Sequence, residues 1–338
     1  MEFTQQELIR VSEQTTKMKK FFTNFFPERH THTVEKLEVH VKKGKKKLAP
    51  FVAPKQGGKI LTREGFKTFN ITTPKLAPSR IMTIEDISQR AFGEKIHSRK
   101  TPQERAVELF SKDYIELEES IVNRIEWMAR RIMLGLSIDI EDVEAGVDIN
   151  VDFNFTNSET LVSGAKWDED TSDPLEDVKE WRRTVIRKSG VSSNICILGG
   201  NAYKAFINNP IVKERLNIKN IDIGEIKPTI IDEAVTLVAK IEGIEYYTYD
   251  EWFLDDDGLE QPMMPLDTII LTAKKIGSIE FGSVTLMDRN EKYQTYESEI
   301  VPTIYADIKN STKELTLISR PLTVPFDVDS WYVAKVID

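Results

Sequence analysis

A long amphipathic helix is the feature that most constrains the fold of this chain. Thr101 is a good N-cap, Pro102 suits the first helical position, and Glu104 completes a capping box. Apolar residues then recur at steps of three and four: Val107, Phe110, Tyr114, Leu117, Ile121, Ile125, Met128 and Ile132. The spacing predicts a helix over residues 102–136, about 50 Å long. We expect it to lie across a sheet, because the stripe is not a sustained heptad.

Strand-like segments lie on both sides of the predicted helix. Residues 34–41 alternate between apolar and polar side chains, and so do residues 147–155, which indicates half-buried strands. The second of these is expected to be antiparallel and to lie under the helix. Residues 42–78 read as a basic two-stranded excursion, rich in Pro and Gly, with few apolar residues for a core of its own. Such a hairpin is marginal alone and is expected to lean on another surface.

A compact α/β region is predicted from residue 173 onwards. Asp173 and Gly190 begin and end a second helix. Residues 195–198 form a buried apolar strand, and a Gly-Gly-Asn turn leads from it into short helices over 202–208 and 211–216. Further strands are expected at 244–249, 268–272, 278–286, 296–305, 315–319 and in the last residues of the chain.

The charge of the chain is divided along its length. The 338 residues have a net charge of −9, but residues 1–100 hold 21 Lys and Arg against 10 Asp and Glu. Residues 101–338 hold 25 basic and 45 acidic residues. This polarity suggests partners of both signs, including other copies of the same chain.

No catalytic, metal or cofactor site is predicted. Cys196 is the single cysteine, so there is no intrachain disulfide or cysteine zinc cluster, and its apolar strand indicates a small core residue. His30 and His32 could contact a metal, but a solvated strand face is the better interpretation. Gly199-Gly200 is expected to be a tight turn rather than a phosphate cradle. Neither a signal peptide nor a transmembrane run is visible.

Three sets of residues are candidates for contacts between subunits. The aromatic residues near the N-terminus either anchor that segment in the core or dock on a neighbour. The basic run from Lys42 either contacts an acidic patch, contacts phosphates, or is solvated. Asp257-Gly258 indicates a hairpin turn with an acidic tip, with a divalent-ion site as the alternative. The candidates are Phe21, Phe22, Phe25, Phe26, Lys42, Lys43, Lys45, Lys46, Lys47, Arg63, Phe66, Asp255, Asp256 and Asp257.

The order of these parts resembles the major capsid proteins of tailed bacteriophages, in particular the lambda-like capsid protein E family. The similarity spans nearly the whole chain and is most specific over residues 167–216, in WDEDTSDPLEDV, SGVSSNICILGGNAYKAF and NNPIVKERL. The closing segment SRPLTVPFDVDSWYVAKV at 319–336 is also similar to that family.

The resemblance implies the α+β capsid fold shared by tailed phages and herpesviruses. On this numbering it implies an N-terminal arm (1–41), an extended β-hairpin loop (42–78) that lies on the adjacent subunit, and a peripheral domain (79–158) with the spine helix 102–136 and a β-sheet. An α/β axial domain (159–300) and a C-terminal β segment (301–338) that completes the core would follow.

The function that the resemblance implies is that of a structural major capsid protein, not an enzyme. It would assemble into hexamers and pentamers of an icosahedral shell around double-stranded DNA, which it meets by non-specific proximity. A scaffolding protein, a portal and a decoration protein are expected partners, with assembly in the host bacterial cytoplasm and the virion as the destination. No cofactor and no membrane are expected. The alternatives are an encapsulin-like compartment shell and a soluble DNA-binding protein.

Overall fold

A computed structural model describes residues 20–42, 66–88, 101–142, 147–216, 224–232, 234–287 and 292–338. Residues 4–14, which the sequence predicts to form a short amphipathic helix with Thr4 as N-cap, lie outside these ranges, as does most of the excursion, residues 43–65. A short 3-10 turn spans Phe22–Phe25. The α-helices that follow are α1 (Ile84–Ser88), α2 (Pro102–Met133), α3 (Pro174–Ser189), α4 (Gly200–Asn208) and α5 (Pro210–Leu216).

The strands are numbered in chain order. The first half of the chain contains β1 (Glu28–Thr31), β2 (Lys36–Lys42), β3 (Phe66–Thr72), β4 (Ser79–Met82), β5 (Ile138–Asp142), β6 (Val147–Val151) and β7 (Ser158–Thr160). The second half contains β8 (Ile195–Leu198), β9 (Gly224–Asp232), β10 (Val235–Ile241), β11 (Ile244–Tyr249), β12 (Trp252–Leu254), β13 (Glu260–Pro262), β14 (Thr268–Thr272), β15 (Gly277–Phe281), β16 (Val284–Met287), β17 (Tyr293–Tyr296), β18 (Val301–Asp307), β19 (Thr312–Ile318), β20 (Pro321–Pro325) and β21 (Tyr332–Lys335).

The long helix α2 begins as the sequence predicts and ends slightly earlier. The Thr101 side chain accepts a hydrogen bond from the Glu104 backbone N–H, and the Glu104 carboxylate accepts one from the Thr101 N–H at 2.7 Å. The helix ends at Met133 rather than at residue 136, because Gly135 takes a left-handed conformation with φ +70°. The N–H groups of residues 135 and 136 then bond to the carbonyls of residues 132 and 131, the pattern of a Schellman motif.

One face of α2 is buried against two sheets. The buried apolar residues of the predicted stripe are Leu117, Ile121, Ile125, Met128 and Ile132. Val107 is 58% exposed, so the start of the stripe is not part of the core. The helix lies against β20, in the sheet ordered β1-β15-β20, and against β19, in the sheet ordered β18-β19-β4. The prediction that the long helix crosses a sheet is therefore confirmed.

The predicted strand after the helix forms one arm of an antiparallel pair. β6 pairs with β5 from Ile138↔Val151 to Asp142↔Val147. The strand stops at Val151 rather than at residue 155, because Asn154 takes φ +57° and its N–H bonds to the Asp152 carboxylate at 2.7 Å. Val151 and Phe153 still point into the same core as α2.

A seven-stranded sheet separates two hydrophobic cores. Its order is β7-β21-β14-β8-β11-β10-β9, with β8 parallel to β11 and antiparallel to β14. Along β8, Ile195 and Ile197 belong to the core that contains α2, whereas Cys196 and Leu198 belong to the second core. Because successive strand side chains point to opposite faces, a strand between two cores must be apolar at every position.

The second core contains the helices of the predicted α/β region. The Asp173 side chain caps α3 by accepting the Glu176 N–H at 3.2 Å, and Gly190 ends the helix at φ +74°. Stacked aromatic rings fill this core, including Trp167 on Trp181 and Phe206 on Tyr246. The strand–turn–helix prediction for residues 195–216 is therefore confirmed.

The last two strands of the chain belong to different sheets. β20 lies antiparallel to β15 in the sheet that supports α2. β21 lies between β14 and β7 in the seven-stranded sheet. Residues 321–335 therefore contribute one strand to the sheet that supports α2 and one strand to the seven-stranded sheet.

Candidate functional site

The sequence-predicted contact residues fall into three places. The aromatic residues Phe21, Phe22, Phe25 and Phe26 lie in or beside the core. Lys42 and Phe66 are paired residues at the open end of the β2–β3 hairpin, while Lys43, Lys45, Lys46, Lys47 and Arg63 lie outside the described residues. Asp255, Asp256 and Asp257 form the connection between β12 and β13.

The aromatic residues anchor the N-terminal segment within its own chain. Phe22, Phe25 and Phe26 are buried, and Phe21 is half-buried. The rings of Phe21 and Phe22 lie 5.0 and 5.2 Å from the Tyr249 ring, the second of them edge-on. Aromatic pairs at such distances add to the stabilisation from burial. The contact of these residues with a neighbouring subunit stays a prediction.

The base of the basic excursion is held on the core. β2 and β3 pair antiparallel from Lys36↔Thr72 to Lys42↔Phe66. Leu37, Val39 and Val41 are buried on one face of β2, as the alternation predicts, and Phe69 of β3 packs edge-on to Phe153 at 5.5 Å. The described strands at the base of the excursion, β2 and β3, are therefore part of the core.

The acidic tip is a structured turn. The Asp255 carboxylate accepts hydrogen bonds from the N–H groups of Asp257 (3.1 Å) and Leu259 (2.8 Å), and Gly258 takes φ +77°. Asp256 forms a two-pronged contact with the Arg124 guanidinium of α2, which holds the pKa of that carboxyl below its ordinary value. The Asp-Gly prediction of a hairpin with an acidic tip is confirmed.

The β12–β13 hairpin exposes large apolar side chains beside these carboxylates. Trp252, Leu254 and Leu259 are 53%, 68% and 60% exposed. Phe253 points the other way, and the Arg130 guanidinium lies 5.4 Å from the centre of its ring. The outward apolar residues and the acidic tip together form what we call the hairpin surface: Trp252, Leu254, Asp255, Asp256, Asp257, Leu259 and Glu260.

A cationic and aromatic stretch of α2 is connected to the hairpin surface. The guanidinium groups of Arg124 and Arg131 lie 5.2 and 5.6 Å from the Trp127 ring. Arg124 also binds Asp256, so the tip is fixed to the helix. Because the Arg124–Asp256 contact and the Asp255 hydrogen bonds hold the turn against α2, the hairpin presents its exposed side chains in a defined orientation.

The two histidines of the sequence motif bind a carboxylate from a distant strand. His30 lies on β1 and His32 follows the end of that strand, and their ring nitrogens donate to the Glu280 carboxylate of β15 at 3.1 and 2.6 Å. Burial acts to raise the pKa of Glu280, but hydrogen bonds from Ser278, His32 and His30 outweigh it and hold the pKa below its ordinary value. Among the described residues, no group of three or more such side chains could hold a metal ion.

The glycine turn before α4 is closed by its own chain. The N–H groups of Asn201 and Ala202, at the helix N-terminus, both donate to the Leu266 carbonyl at 3.0 Å. Those groups would be the ones to bind a phosphate at this position. The turn is therefore structural, as the sequence predicts. No helix in the described ranges is long and apolar enough to span a membrane.

Cys196 is predicted to be unreactive in the folded chain. It is fully buried, and burial raises the pKa of its thiol far above the ordinary range. Because the thiolate is the nucleophile, alkylation by iodoacetamide should be at least about a hundredfold slower than in the unfolded chain. Mass spectrometry of the chain with and without guanidinium chloride measures this. Equal labelling rates in the two states would show that the thiol is accessible.

Comparisons with known proteins agree with the capsid family that the sequence resembles. The model of the family described as phage major capsid protein E matches residues 4–336. The major capsid protein of Enterobacteria phage P21 is 22% identical over 99% of both chains. A crystal structure of a prophage protein of Escherichia coli CFT073, assigned as a capsid protein, superposes with a TM-score of 0.73 and 16% identity, over 98% of both chains. The capsid of cyanophage P-SCSP1u superposes with a TM-score of 0.50, at 10% identity, over 96% of this chain and 90% of that one.

These matches cover nearly all of the chain and of each relative, and the structural ones share the predicted α+β capsid fold. The chain therefore belongs to the phage major capsid protein E family and is a structural component of a phage shell.

Proposed function

We propose that this chain assembles into hexamers and pentamers of an icosahedral shell that encloses double-stranded DNA, and that the hairpin surface is one of its contacts with neighbouring copies. The proposal assigns residues 1–41 to an arm, 42–78 to an extended loop, 79–158 to a peripheral domain, 159–300 to an axial domain and 301–338 to a segment that completes the core. A scaffolding protein, a portal and a decoration protein are the further partners, with assembly in the host cytoplasm.

Charge complementarity is the observation that supports the contact. Residues 251–262, which include the hairpin surface, contain five carboxylates and neither Lys nor Arg. Residues 42–63 contain eight Lys and Arg and neither Asp nor Glu. Both segments also carry apolar residues: Trp252, Leu254 and Leu259 on one side, and Leu48, Phe51 and Val52 on the other. Opposite charge around an apolar centre is typical of specific interfaces.

We therefore infer that the basic segment of one copy contacts the hairpin surface of the next. Such a contact joins two different patches, which lets successive copies form a closed ring. The hairpin surface can accept a partner without unfolding, because Asp255 and Gly258 already hold its turn. Asp257 and Glu260 are exposed and project from this surface.

A charge-swap experiment tests this contact. In Asp257→Lys/Glu260→Lys, like charges face each other, and we expect the yield of shells to fall by about tenfold or more in electron micrographs and light scattering. Adding Lys45→Glu/Lys46→Glu in the same chain restores the net charge and the attraction, and should recover most of the yield. The matched control, Glu85→Lys/Glu214→Lys, makes the same change of charge at other exposed positions.

The outcomes separate the candidate functions. If the Asp257→Lys/Glu260→Lys variant forms shells in normal yield, the hairpin surface is not a contact between copies. A chain that stays monomeric in every variant and with scaffold present would contradict the shell itself. If the Lys45→Glu/Lys46→Glu variant assembles normally but loses affinity for DNA, the basic segment is a DNA contact instead. A packaged cargo protein in place of DNA would favour the encapsulin-like alternative.

A further inference from the structure

A fully buried carboxyl group joins the N-terminal segment, residues 20–26, to the long helix. Glu126 of α2 has no exposed surface. Its Oε1 accepts the Phe22 N–H at 2.7 Å and its Oε2 accepts the Thr23 N–H at 2.9 Å. These are the first N–H groups of the 3-10 turn, which has no side-chain cap of its own. Glu126 therefore supplies the cap from a position about a hundred residues away along the chain.

A tyrosine hydroxyl lies between Glu126 and a second carboxylate. The Tyr249 hydroxyl oxygen is 3.1 Å from Glu126 Oε1 and makes a short hydrogen bond to Glu251 Oε2. A phenol has one hydrogen, so it donates to one of these carboxyl groups at a time. The other oxygen–oxygen contact is satisfied when that carboxyl group carries a proton of its own.

The surrounding charges indicate which carboxyl group carries the proton. Lys20 Nζ lies 2.5 Å from Glu251 Oε1 and forms an ion pair with it. Glu126 has two backbone N–H groups and the Tyr249 hydroxyl as its hydrogen-bonding partners. Arg130, one turn further along α2, donates its Nε to the Met263 carbonyl at 2.8 Å. The geometry therefore favours a proton on Glu126 that is donated to Tyr249, while Tyr249 donates to Glu251.

The electrostatics agree with this arrangement. Burial raises the pKa of Glu126 to about 7, and the nearby negative charge of Glu251 adds to the rise. The N–H groups of Phe22 and Thr23, and the Tyr249 hydroxyl when it donates to the ionised carboxylate, act in the opposite direction. Burial and the Glu126 carboxyl group raise the pKa of Tyr249 far above its ordinary range. Tyr249 therefore keeps its hydrogen, and Glu126 is the group that titrates near neutral pH.

We propose that a proton on Glu126 fastens the N-terminal segment to the long helix, so that docking of the segment takes up a proton and ionisation of Glu126 weakens docking. When the segment leaves, Glu126 faces water and returns towards its ordinary pKa of 4.5. The folded value is the higher one, so docking is strongest in acid and is weakened as the pH rises through about 7. This fastening acts within one chain and does not depend on the hairpin surface.

Hydrogen exchange of the full chain at several pH values tests the proposal. The measured quantity is the protection of the Phe22 and Thr23 amides, after correction for the intrinsic pH dependence of exchange. We expect protection to fall by about tenfold between about pH 6 and about pH 8, from the linkage between protonation and docking. Protection of the core strand β8 reports global unfolding and serves as the internal reference.

Three variants distinguish a proton-linked fastening from a purely structural contact. Glu126→Gln keeps a neutral group with an acceptor oxygen, so protection should become independent of pH. Glu251→Gln removes the neighbouring negative charge, so the fall in protection should move to lower pH. The matched control is Glu245→Gln, which alters another glutamate that accepts a tyrosine hydroxyl, from Tyr247 at 2.9 Å, and should leave the pH dependence as in the wild type.

Two results would overturn the proposal. One is protection of the Phe22 and Thr23 amides that stays constant in the wild type from about pH 6 to about pH 8. The other is a Glu251→Gln variant whose transition coincides with that of the wild type. The second measurement remains decisive if Glu126→Gln fails to fold.

Discussion

Gly199→Ala is expected to destabilise the chain by about 3 kcal/mol or more, because the added methyl group has no space. A Cβ at this position would lie 2.1 Å from the Pro265 carbonyl oxygen and 2.4 Å from that of Leu266. Both are backbone atoms, and the Leu266 carbonyl also accepts the first N–H groups of α4. The backbone must therefore shift, and the shift would break the hydrogen bonds that hold the start of α4 to the residues just before β14.

The neighbouring glycine provides the matched control. A Cβ at Gly200 would meet only side-chain atoms of Leu266 and Asp250 at ordinary contact distances of 3.7 and 3.9 Å. Gly200→Ala is therefore expected to leave stability unchanged or to raise it by up to about 1 kcal/mol, because alanine has less conformational freedom in the unfolded chain. Urea unfolding of both variants, followed by far-UV circular dichroism, measures the difference. Equal urea midpoints for the two variants would show that the turn at Gly199 accommodates the methyl group without loss of stability.

Trp331→Ala is expected to cost about 3–5 kcal/mol, the range for removal of a large buried aromatic side chain. Trp331 is 1% exposed and stacks on Phe155, with ring centres 4.9 Å apart and an interplanar angle of 15°. Its indole N–H has no hydrogen-bonding partner among the described residues, so its contribution comes from packing. It lies just before β21, so the cavity would open beside the strand that completes the seven-stranded sheet.

Trp252→Ala is the control for this variant. Its side chain is 53% exposed on the hairpin surface, and we expect the unassembled chain to lose no more than about 0.5 kcal/mol. Because each variant loses a tryptophan, urea midpoints are compared by far-UV circular dichroism rather than by fluorescence. If the urea midpoint shifted by a similar amount in both variants, Trp331 would contribute no more to stability than the exposed Trp252, and the prediction would be wrong. Reduced shell assembly of Trp252→Ala with normal stability would support its role as a contact.

Local signals in the sequence predicted the elements well. The capping residues of α2 and α3 and the Asp-Gly turn depend on bonds between residues close along the chain, and β8 was visible as an unbroken apolar run. The two element ends that were predicted wrongly lie beside residues whose backbone takes a left-handed conformation. The end of α2 moved to Met133 through Gly135, and β6 stopped at Val151 through the left-handed Asn154. Each of these residues is visible in the sequence, but its conformation depends on what surrounds it.

The polar contacts of the core were beyond sequence reasoning. Glu126 has an ordinary place in the helix pattern, and its partners Phe22, Thr23 and Tyr249 are far from it along the chain. Likewise, the sequence around His30 and His32 does not reveal their partner Glu280, which comes from a strand about 250 residues away. Periodicity shows which face of an element is apolar, but it does not show which elements meet.

The sequence by itself determined the elements, their order, the division of charge and, through the resemblance, the family. Only the tertiary structure decided that β8 separates two cores, that the last two strands join different sheets and that a buried carboxyl group holds the N-terminal segment. The physical reason is that helix caps, turns and alternation are settled among residues a few positions apart. Burial, proton binding and the cost of an added methyl group depend instead on atoms that the fold brings together from distant parts of the chain.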